Sequence, residues 1–222
     1  MFSPVDDPPD PRPRLAKVGF GDAELDEVRR ALDALNYGNV KYLLLITAWC
    51  EGIQGRACGG AGDAAEPHGS ALPAGPPEGM AALRLVDPRH ATDRVQRLLE
   101  RVTDLHFHHG PSSDFRVPAN WPDFLQVALD DVLGPVVRTP PYEAAAHALL
   151  GRARERVRGF PAPAGLGAHE ALEVCTDAEV AAITGLLFMF QRFILDVTID
   201  MVRCTQALAG REAAAASPFP VR

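Results

Sequence analysis

Two similar stretches of the sequence decide the fold. Residues 39–47 are Asn-Val-Lys-Tyr-Leu-Leu-Leu-Ile-Thr, and residues 190–198 are Phe-Gln-Arg-Phe-Ile-Leu-Asp-Val-Thr. They align without a gap, so that Lys41 meets Arg192 and Thr47 meets Thr198. Chance similarity between two amphipathic helices is the alternative explanation. We interpret the two stretches as copies of a duplicated helical unit, which would pack with pseudo-twofold symmetry.

The rest of the chain is also predicted to be helical, because no stretch shows the period-two alternation of a strand bounded by turn residues. The predicted helices have recognisable starts and ends. Before residue 57 they are a helix capped by Asp22 and ended by Gly38, and a helix over 40–54. In the middle of the chain they are an apolar stripe over 95–105, a segment capped by Asn120 with Pro122 in its first turn, and a helix after Thr139 to about Arg158. The last two are a helix opened by a capping box at Thr176–Glu179 and a helix over 192–208 closed by Gly210. The predicted fold class is all-α, a duplicated helical repeat.

Composition divides the chain into five segments. Prolines and aspartates crowd the first residues, and glycine, proline and alanine dominate a middle stretch without periodicity. We expect a disordered tail over 1–21, a remnant of the first helical repeat over 22–56, a linker over 57–89, the second helical repeat over 90–211 and a flexible C-terminal tail over 212–222.

Charge and composition exclude several functional classes. The 222 residues carry 22 basic and 29 acidic side chains, a net charge of −7, which disfavours a nucleic-acid binder. The N-terminus has no signal-peptide pattern, and the most apolar stretch, 180–190, is about half of a bilayer crossing. Four cysteines lie far apart, as is typical of reduced thiols. We expect a cytoplasmic protein without nucleic-acid or membrane partners.

The most unusual local sequence is a histidine-rich loop between two predicted helices. It reads His106-Phe107-His108-His109-Gly110-Pro111-Ser112-Ser113-Asp114-Phe115-Arg116. Imidazole and carboxylate groups are common metal ligands, so His106, His108, His109 and Asp114 form one candidate ligand set. Solvated loop histidines are the alternative, and we favour it, because no second cluster stands at helical spacing. We therefore predict no metal and no cofactor.

Asp114 is the second candidate in this loop. A carboxylate held close to its substrate in a partly desolvated pocket can act as a general base near neutral pH. The structural alternative is that Ser113 or Asp114 only caps the following turn, as serine and aspartate often do. Composition alone favours the alternative.

Three motifs resemble a known family. They are Ser112-Ser113-Asp114-Phe115-Arg116, Asn120-Trp121-Pro122-Asp123-Phe124-Leu125 and Gly134-Pro135-Val136-Val137. Together they resemble the second repeat of the DehI-type (group I) 2-haloacid dehalogenases. The stretch over 37–45 resembles the end of that family's first repeat, which begins further upstream than this chain does. The resemblance therefore implies an all-helical pseudo-dimer around one active site, with the first repeat truncated here.

The resemblance also implies a reaction and a set of residues. Family members hydrolyse 2-halocarboxylic acids, with an aspartate that activates water for direct attack, inversion and no covalent intermediate. By motif match the aspartate is Asp114, the neighbouring substrate-contacting serine is Ser113, and the asparagine that places water or substrate is Asn39. A tyrosine of the family aligns with Phe190, which we include among the substrate-binding residues.

Such chemistry brings an anionic base towards a small anionic substrate, so the pocket must offset the substrate carboxylate. A helix N-terminus near Trp121 or a cation, Lys41 or Arg116, would do so, although each cation is as well explained as a surface charge. A second copy of the chain is a possible partner that completes the truncated repeat. The leading hypothesis is a hydrolytic dehalogenase. The alternatives are a relative with altered or lost activity that serves as a helical binding or oligomerisation module, and then metal binding by the histidine loop.

Overall fold

The computed structural model describes residues 7–60, 80–161, 163 and 167–215, and within these ranges every regular element is helical. The predicted all-α class is confirmed. The helices are α1 (Arg12–Lys17), α2 (Asp22–Ile53), α3 (Asp93–His106), α4 (Ser113–Arg116), α5 (Pro122–Val127), α6 (Pro140–Arg158), α7 (Ala168–Leu172) and α8 (Asp177–Ala215). Short 3₁₀ turns lie at Met80–Ala82, Pro88–His90 and Pro118–Asn120, and a π-helical turn spans Ala128–Leu133.

Helix α2 is a single helix of 32 residues, so the predicted break at Gly38 is wrong. A glycine costs a helix interior only about 1 kcal/mol relative to alanine, which tertiary burial can offset. Gly38 is buried, and a Cβ there would lie 3.1 Å from Met80 Cε. The glycine therefore makes room for a neighbouring segment. The predicted cap is displaced by one residue: Gly21 is the N-cap, its N–H donates to Glu24 Oε2 at 3.0 Å, and Asp22 begins the helix.

Helix α8 runs without a break through residues 190–191, although the sequence predicts two separate helices on either side of that point. Its start follows the prediction: the Thr176 N–H donates to Glu179 Oε2 at 2.8 Å, and the Glu179 N–H donates to Thr176 Oγ1 at 3.3 Å. Gly210, the predicted end, has a positive φ of 85°, and helix resumes after it as far as Ala215. Such a φ favours glycine, which has no Cβ to clash.

Helices α2 and α8 pack side by side in opposite directions. Asn36 Nδ2 donates to Thr205 Oγ1 at 2.9 Å, and Gln191 Nε2 donates to Thr47 Oγ1 at 3.4 Å. This register sets the middle of residues 39–47 beside the middle of residues 190–198. A twofold relation between the two stretches would require that arrangement. The duplication itself stays a prediction.

By length and composition, α8 is the one helix of the described ranges that could cross a membrane, a test that core helices of soluble proteins also pass. Its C-terminal half carries buried polar side chains that bond to other elements. Asp200 accepts from Tyr142 on α6, and Arg203 Nε donates to the Val132 carbonyl oxygen at 2.9 Å. This half of α8 therefore belongs to the protein core.

The segment predicted as a disordered N-terminal tail is ordered where the structure describes it. Helix α1 buries Leu15 completely, and Arg14 donates to Asp130 at 2.5 Å and to Asp131 at 2.6 Å. Tertiary contacts thus fix a helix too short to show a hydrophobic period of its own. The prediction is wrong for residues 7–21, and residues 1–6 lie outside the described ranges.

Two other segment predictions fall partly outside the described ranges. Residues 61–79 of the predicted linker are not described. In its described part, the Val86 N–H donates to the Arg116 carbonyl oxygen at 3.1 Å, and Arg116 Nε donates to the Val86 carbonyl oxygen at 2.7 Å. The predicted C-terminal tail is helical up to Ala215, and residues 216–222 are not described.

The short elements around residue 120 differ in one detail from the prediction. Pro122 stands in the first turn of α5, as predicted, but the N-cap is Trp121. Asn120 is instead part of a 3₁₀ turn, and its Nδ2 donates to the carbonyl oxygens of Arg84 and Val117 at 2.7 and 2.8 Å. Its amide therefore fastens the loop before α3 to the turn after α4.

Docking of α1 can be tested with a cavity-forming substitution. Leu15→Ala should lower the free energy of unfolding by about 2–4 kcal/mol, because a fully buried leucine leaves a cavity. Val18→Ala is the matched control, since Val18 is 54% exposed and should change stability by less than about 0.5 kcal/mol. Urea unfolding measures both values. Equal stabilities of the two variants would show that α1 is not docked.

Candidate active site

Asp114 lies in the four-residue helix α4 and is only 3% exposed. The N-cap of α4 is Ser112, and its side chain makes no capping bond. Neither Ser113 nor Asp114 occupies the cap position, so the alternative that either residue only caps the turn is wrong. Phe115 follows, 1% exposed, and anchors the turn in the core. The turn thus holds a carboxylate inside the protein, where water is largely excluded.

The second predicted catalytic residue meets this carboxylate directly. Asn39 is buried on α2, and its Nδ2 donates to Asp114 Oδ1 at 2.7 Å, across 75 residues of sequence. Helix α2 can present Asn39 there because it continues unbroken through Gly38. The structure therefore brings together the amide and the acid that the resemblance selected.

Burial makes Asp114 a stronger base than an ordinary aspartate. Desolvation raises the pKa of Asp114 to about 6, and the negative charge of Asp200 acts in the same direction. Hydrogen bonds from Asn39 and Ser113 act in the opposite direction, because they stabilise the carboxylate. The Ser113 hydroxyl lies 3.5 Å from Oδ2, at the limit of a hydrogen bond. A carboxylate with these neighbours is ionised at neutral pH and still accepts a proton readily.

Two serines precede Asp114 in the sequence, and they differ in how exposed they are. Ser113, the predicted substrate contact, is exposed. Ser112 is buried, and its Oγ has no hydrogen-bond partner among the described residues. Because buried hydroxyl groups are usually bonded, the Ser112 hydroxyl is available for a bound molecule or water. Nothing in the sequence pattern separates the two serines, so the sequence alone gave no reason to single out Ser112.

The other predicted substrate-binding residues lie in different surroundings. Lys41 Nζ donates to Tyr37 Oη at 2.8 Å, and it lies 4.1 Å from the centroid of that ring. Arg116 Nε donates to the Val86 carbonyl oxygen at 2.7 Å, in the loop before α3. Phe190 is 39% exposed and lines an apolar groove of about 360 Å³ between α2 and α8. The structure thus brings Asn39, Ser113 and Asp114 together, and the roles of all six predicted residues stay predictions.

The histidines of the loop do not form a metal site with Asp114. His106 Nε2 lies 2.6 Å from Asp200 Oδ2, and His108 Nε2 lies 3.5 Å from Asp196 Oδ2. No group of three histidine, cysteine or acidic side chains within the described part of the chain is placed to hold a metal ion. The ligand set of His106, His108, His109 and Asp114 is therefore not assembled in the described part of the chain.

Sequence reasoning missed a buried polar cluster beside the site. The side chains of His106 and Asp200 are both fully buried, and Tyr142 donates to Asp200 Oδ1 at 3.0 Å. A signal for it exists in α8: Asp196 and Asp200 stand four residues apart on one face of an otherwise apolar helix. Buried acidic residues are rare without partners, so that spacing predicts basic or hydroxyl side chains opposite.

Comparison with known proteins identifies relatives over almost the whole chain. No family model matches. The chain is 51% identical over 214 residues to a configuration-inverting 2-haloacid dehalogenase of Alcaligenes xylosoxydans xylosoxydans, covering 96% of this chain and 72% of that protein. It is 42% identical over 216 residues to a configuration-inverting 2-haloacid dehalogenase of Pseudomonas sp. (strain 113), covering 96% and 70%.

Solved structures agree with this likeness at the level of the fold. A D-2-haloacid dehalogenase mutant in complex with D-2-CPA superposes with a TM-score of 0.78 at 23% identity, over 90% of this chain and 68% of that one. A D-2-haloacid dehalogenase in complex with L-LA gives a TM-score of 0.76 at 24% identity, over 90% and 69%. With half of its residues identical to one relative along nearly its full length, the chain belongs to the family of configuration-inverting 2-haloacid dehalogenases.

Proposed function

We propose that this protein hydrolyses short 2-halocarboxylic acids, with Asp114 as the general base and Asn39 as the group that positions the attacking water. The observation that carries the proposal is the 2.7 Å contact between a buried amide and a buried carboxylate from separate helices. Family membership supports the reaction class, since the relatives named above are configuration-inverting 2-haloacid dehalogenases.

The reaction needs one water and one base. Asp114 takes a proton from the water, whose oxygen forms a bond to the carbon that carries the halogen. The carbon–halogen bond breaks on the opposite side, and the halide leaves with the electron pair. The products are a 2-hydroxy acid of inverted configuration and a halide ion, and Asp114 then releases its proton to solvent. Because water is the nucleophile and a carboxylate is the base, this route requires no cofactor.

The two carboxylate oxygens have different roles in this proposal. Asp114 Oδ1 accepts the short bond from Asn39, whereas Oδ2 makes a longer contact of 3.5 Å with the Ser113 hydroxyl. We therefore assign Oδ2 to the water. The Asn39 bond fixes the plane of the carboxylate, so that Oδ2 points in one direction, and such orientation is a large part of the rate advantage of a bound reactant.

The substrate carboxylate needs polar partners near this base. The hydroxyl groups of Ser112 and Ser113 lie on the same turn as Asp114, and the Ser112 hydroxyl is unbonded among the described residues. Two cations follow the catalytic pair in sequence, Lys41 after Asn39 and Arg116 after Asp114. The Val86 carbonyl oxygen accepts a hydrogen bond from one of the five N–H groups of the Arg116 guanidinium. We propose that these four residues bind the anionic end of the substrate and that Phe190 contacts its apolar part.

Replacement of the base tests the proposal directly. Asp114→Asn should lower chloride release from 2-chloropropionate by about a thousandfold, because an amide cannot take the proton. The matched control is Asp104→Asn, since Asp104 is an exposed aspartate on α3 and its loss should leave the rate unchanged. Retention of more than about a tenth of the rate in Asp114→Asn would exclude Asp114 as the base. A folded wild-type chain that releases no halide from any short 2-halo acid would favour the helical binding module instead.

Direct attack by water can be separated from a covalent route by isotope labelling. In a single turnover in H₂¹⁸O with excess enzyme, the 2-hydroxypropionate should carry ¹⁸O at its hydroxyl group, and (R)-2-chloropropionate should yield the (S)-product. An ester formed on a carboxylate would instead deliver an unlabelled protein oxygen in the first turnover. Mass spectrometry of the product gives the answer, and unlabelled hydroxyl oxygen would contradict direct attack.

The pH dependence of the rate should report Asp114. The rate should rise through about pH 6 as the carboxylate ionises, which matches the raised pKa of Asp114. Asn39→Ala removes a bond that stabilises the carboxylate, so the midpoint should move to higher pH by about half a unit, and the plateau rate should fall. Asn36→Ala, on the same helix but bonded to Thr205, is the control and should leave the midpoint in place. A midpoint unaffected by Asn39→Ala would contradict the assigned contact.

A further inference from the structure

A fully buried ion pair lies next to the proposed site and has no role in the steps described above. His106 Nε2 at the end of α3 lies 2.6 Å from Asp200 Oδ2 on α8, and both side chains are 0% exposed. Taking two charged groups out of water costs several kcal/mol unless their remaining polar atoms are bonded. A pair in this setting therefore needs further partners.

Those partners are present and define where the protons are. His106 Nδ1 lies 2.9 Å from the Val102 carbonyl oxygen, which can only accept, so Nδ1 carries a proton. Tyr142 Oη donates to Asp200 Oδ1 at 3.0 Å, which leaves Oδ2 for the histidine. Burial alone lowers the pKa of His106, but the charge and the hydrogen bond of Asp200 outweigh it, and the pKa is raised. Both ring nitrogens of His106 face acceptor oxygens, and this geometry favours the imidazolium form of the ring.

The pair contacts the catalytic turn in two ways. The His106 ring lies 5.4 Å, centroid to centroid, from the ring of Phe115, the residue that follows Asp114. The negative charge of Asp200 acts on Asp114 and disfavours its ionisation. By Coulomb's law, an imidazolium at His106 would act on Asp114 in the opposite direction to Asp200. Geometry and charge therefore connect the pair to the base.

We propose that His106 and Asp200 are positioning residues for the dehalogenation proposed above, which hold the Asp114 turn through Phe115 and set the pH range in which Asp114 serves as base. Neither residue touches the substrate in this scheme. The inference rests on the proposed function for its biological meaning, but its physical content is the charge coupling between the pair and Asp114.

Other charged or titratable groups surround the pair and the turn. Arg192 connects the cluster to the surface, since its Nη2 lies 2.9 Å from Asp196 Oδ1 and its Nη1 lies 2.7 Å from Glu143 Oε2. The groups in the described part of the chain include Arg116 on α4, His108 after α3, Tyr142 and Glu143 on α6, and Arg192, Asp196, Arg203 and Cys204 on α8. The variants below change only His106 and Asp200, so these groups form a constant background.

Opposite charge changes give opposite results if the pair acts in this way. His106→Gln keeps a donor towards Asp200 but removes the positive charge, so the titration midpoint of Asp114 should rise by about half a pH unit. Asp200→Asn removes the negative charge, so the midpoint should fall by about the same amount. The double variant carries neither charge and should return close to the wild-type midpoint. A purely structural role would not reverse its sign in this way.

The midpoint is read by two independent measurements. One is the ¹³C NMR titration of the Asp114 carboxyl group, assigned by its absence in Asp114→Asn, and the other is the acid limb of the rate of chloride release. His147→Gln is the matched control, since exposed His147 makes the same contact with a carbonyl oxygen four residues earlier, at 2.8 Å. If the wild type releases no chloride, the proposed function fails, whereas the NMR titration still tests the pair.

Two results would overturn the inference. One is an Asp114 midpoint that stays within about 0.2 pH unit of wild type in both folded single variants. The other needs no variant: ¹⁵N NMR of the wild-type imidazole should show both His106 nitrogens protonated at pH 7, and a neutral His106 ring there would remove the positive charge on which the proposal depends. This second measurement decides the matter where a variant does not fold.

Discussion

The structure depends on keeping an ionised carboxylate inside a helical core. Burial raises the pKa of Asp114 to about 6 from 3.8, so its charged form opposes folding at neutral pH by about 3 kcal/mol. Because the folded-state pKa lies above the unfolded value, this penalty is absent below about pH 4 and grows as the pH rises through about 6. The surrounding apolar packing must offset it. The raised pKa that suits Asp114 to the proposed role of base is therefore one that costs stability.

The two long helices supply the packing, and they also fix the positions of the polar side chains in the site. Helix α2 carries Asn39 and helix α8 carries Asp200, and side-chain bonds such as Asn36 to Thr205 fix the register between them. A shift of either helix by one residue would turn these side chains through about 100°. The 2.7 Å contact at Asp114 thus depends on the whole length of an antiparallel pair of helices.

The sequence predicts those parts of the molecule that local physics controls. The capping box at Thr176 and the all-α class follow from hydrogen-bonding capacity and periodicity, and the motif around Asp114 pointed to its acid through resemblance. Where tertiary contacts decide, local reasoning failed. Gly38 does not end its helix, because burial against Met80 outweighs the cost of a glycine, and Leu15 orders a segment whose composition alone favours disorder. Local sequence could not identify the histidine partner of Asp200 either, because His106 is 94 residues away along the chain.

The two buried aspartates differ in their hydrogen-bond partners, and this difference is what the proposed roles require. Asp200 has a histidine on one oxygen and a tyrosine on the other, so both of its oxygens are hydrogen-bonded. Asp114 has an amide on Oδ1 at 2.7 Å and a hydroxyl 3.5 Å from Oδ2, so Oδ2 is the more weakly bonded of these two oxygens. Environments that separate two carboxylates in this manner assign them different tasks. In the two proposals, the same core gives Asp200 a histidine and a tyrosine as partners and gives Asp114 a neutral amide, so only Asp114 is left to serve as the base.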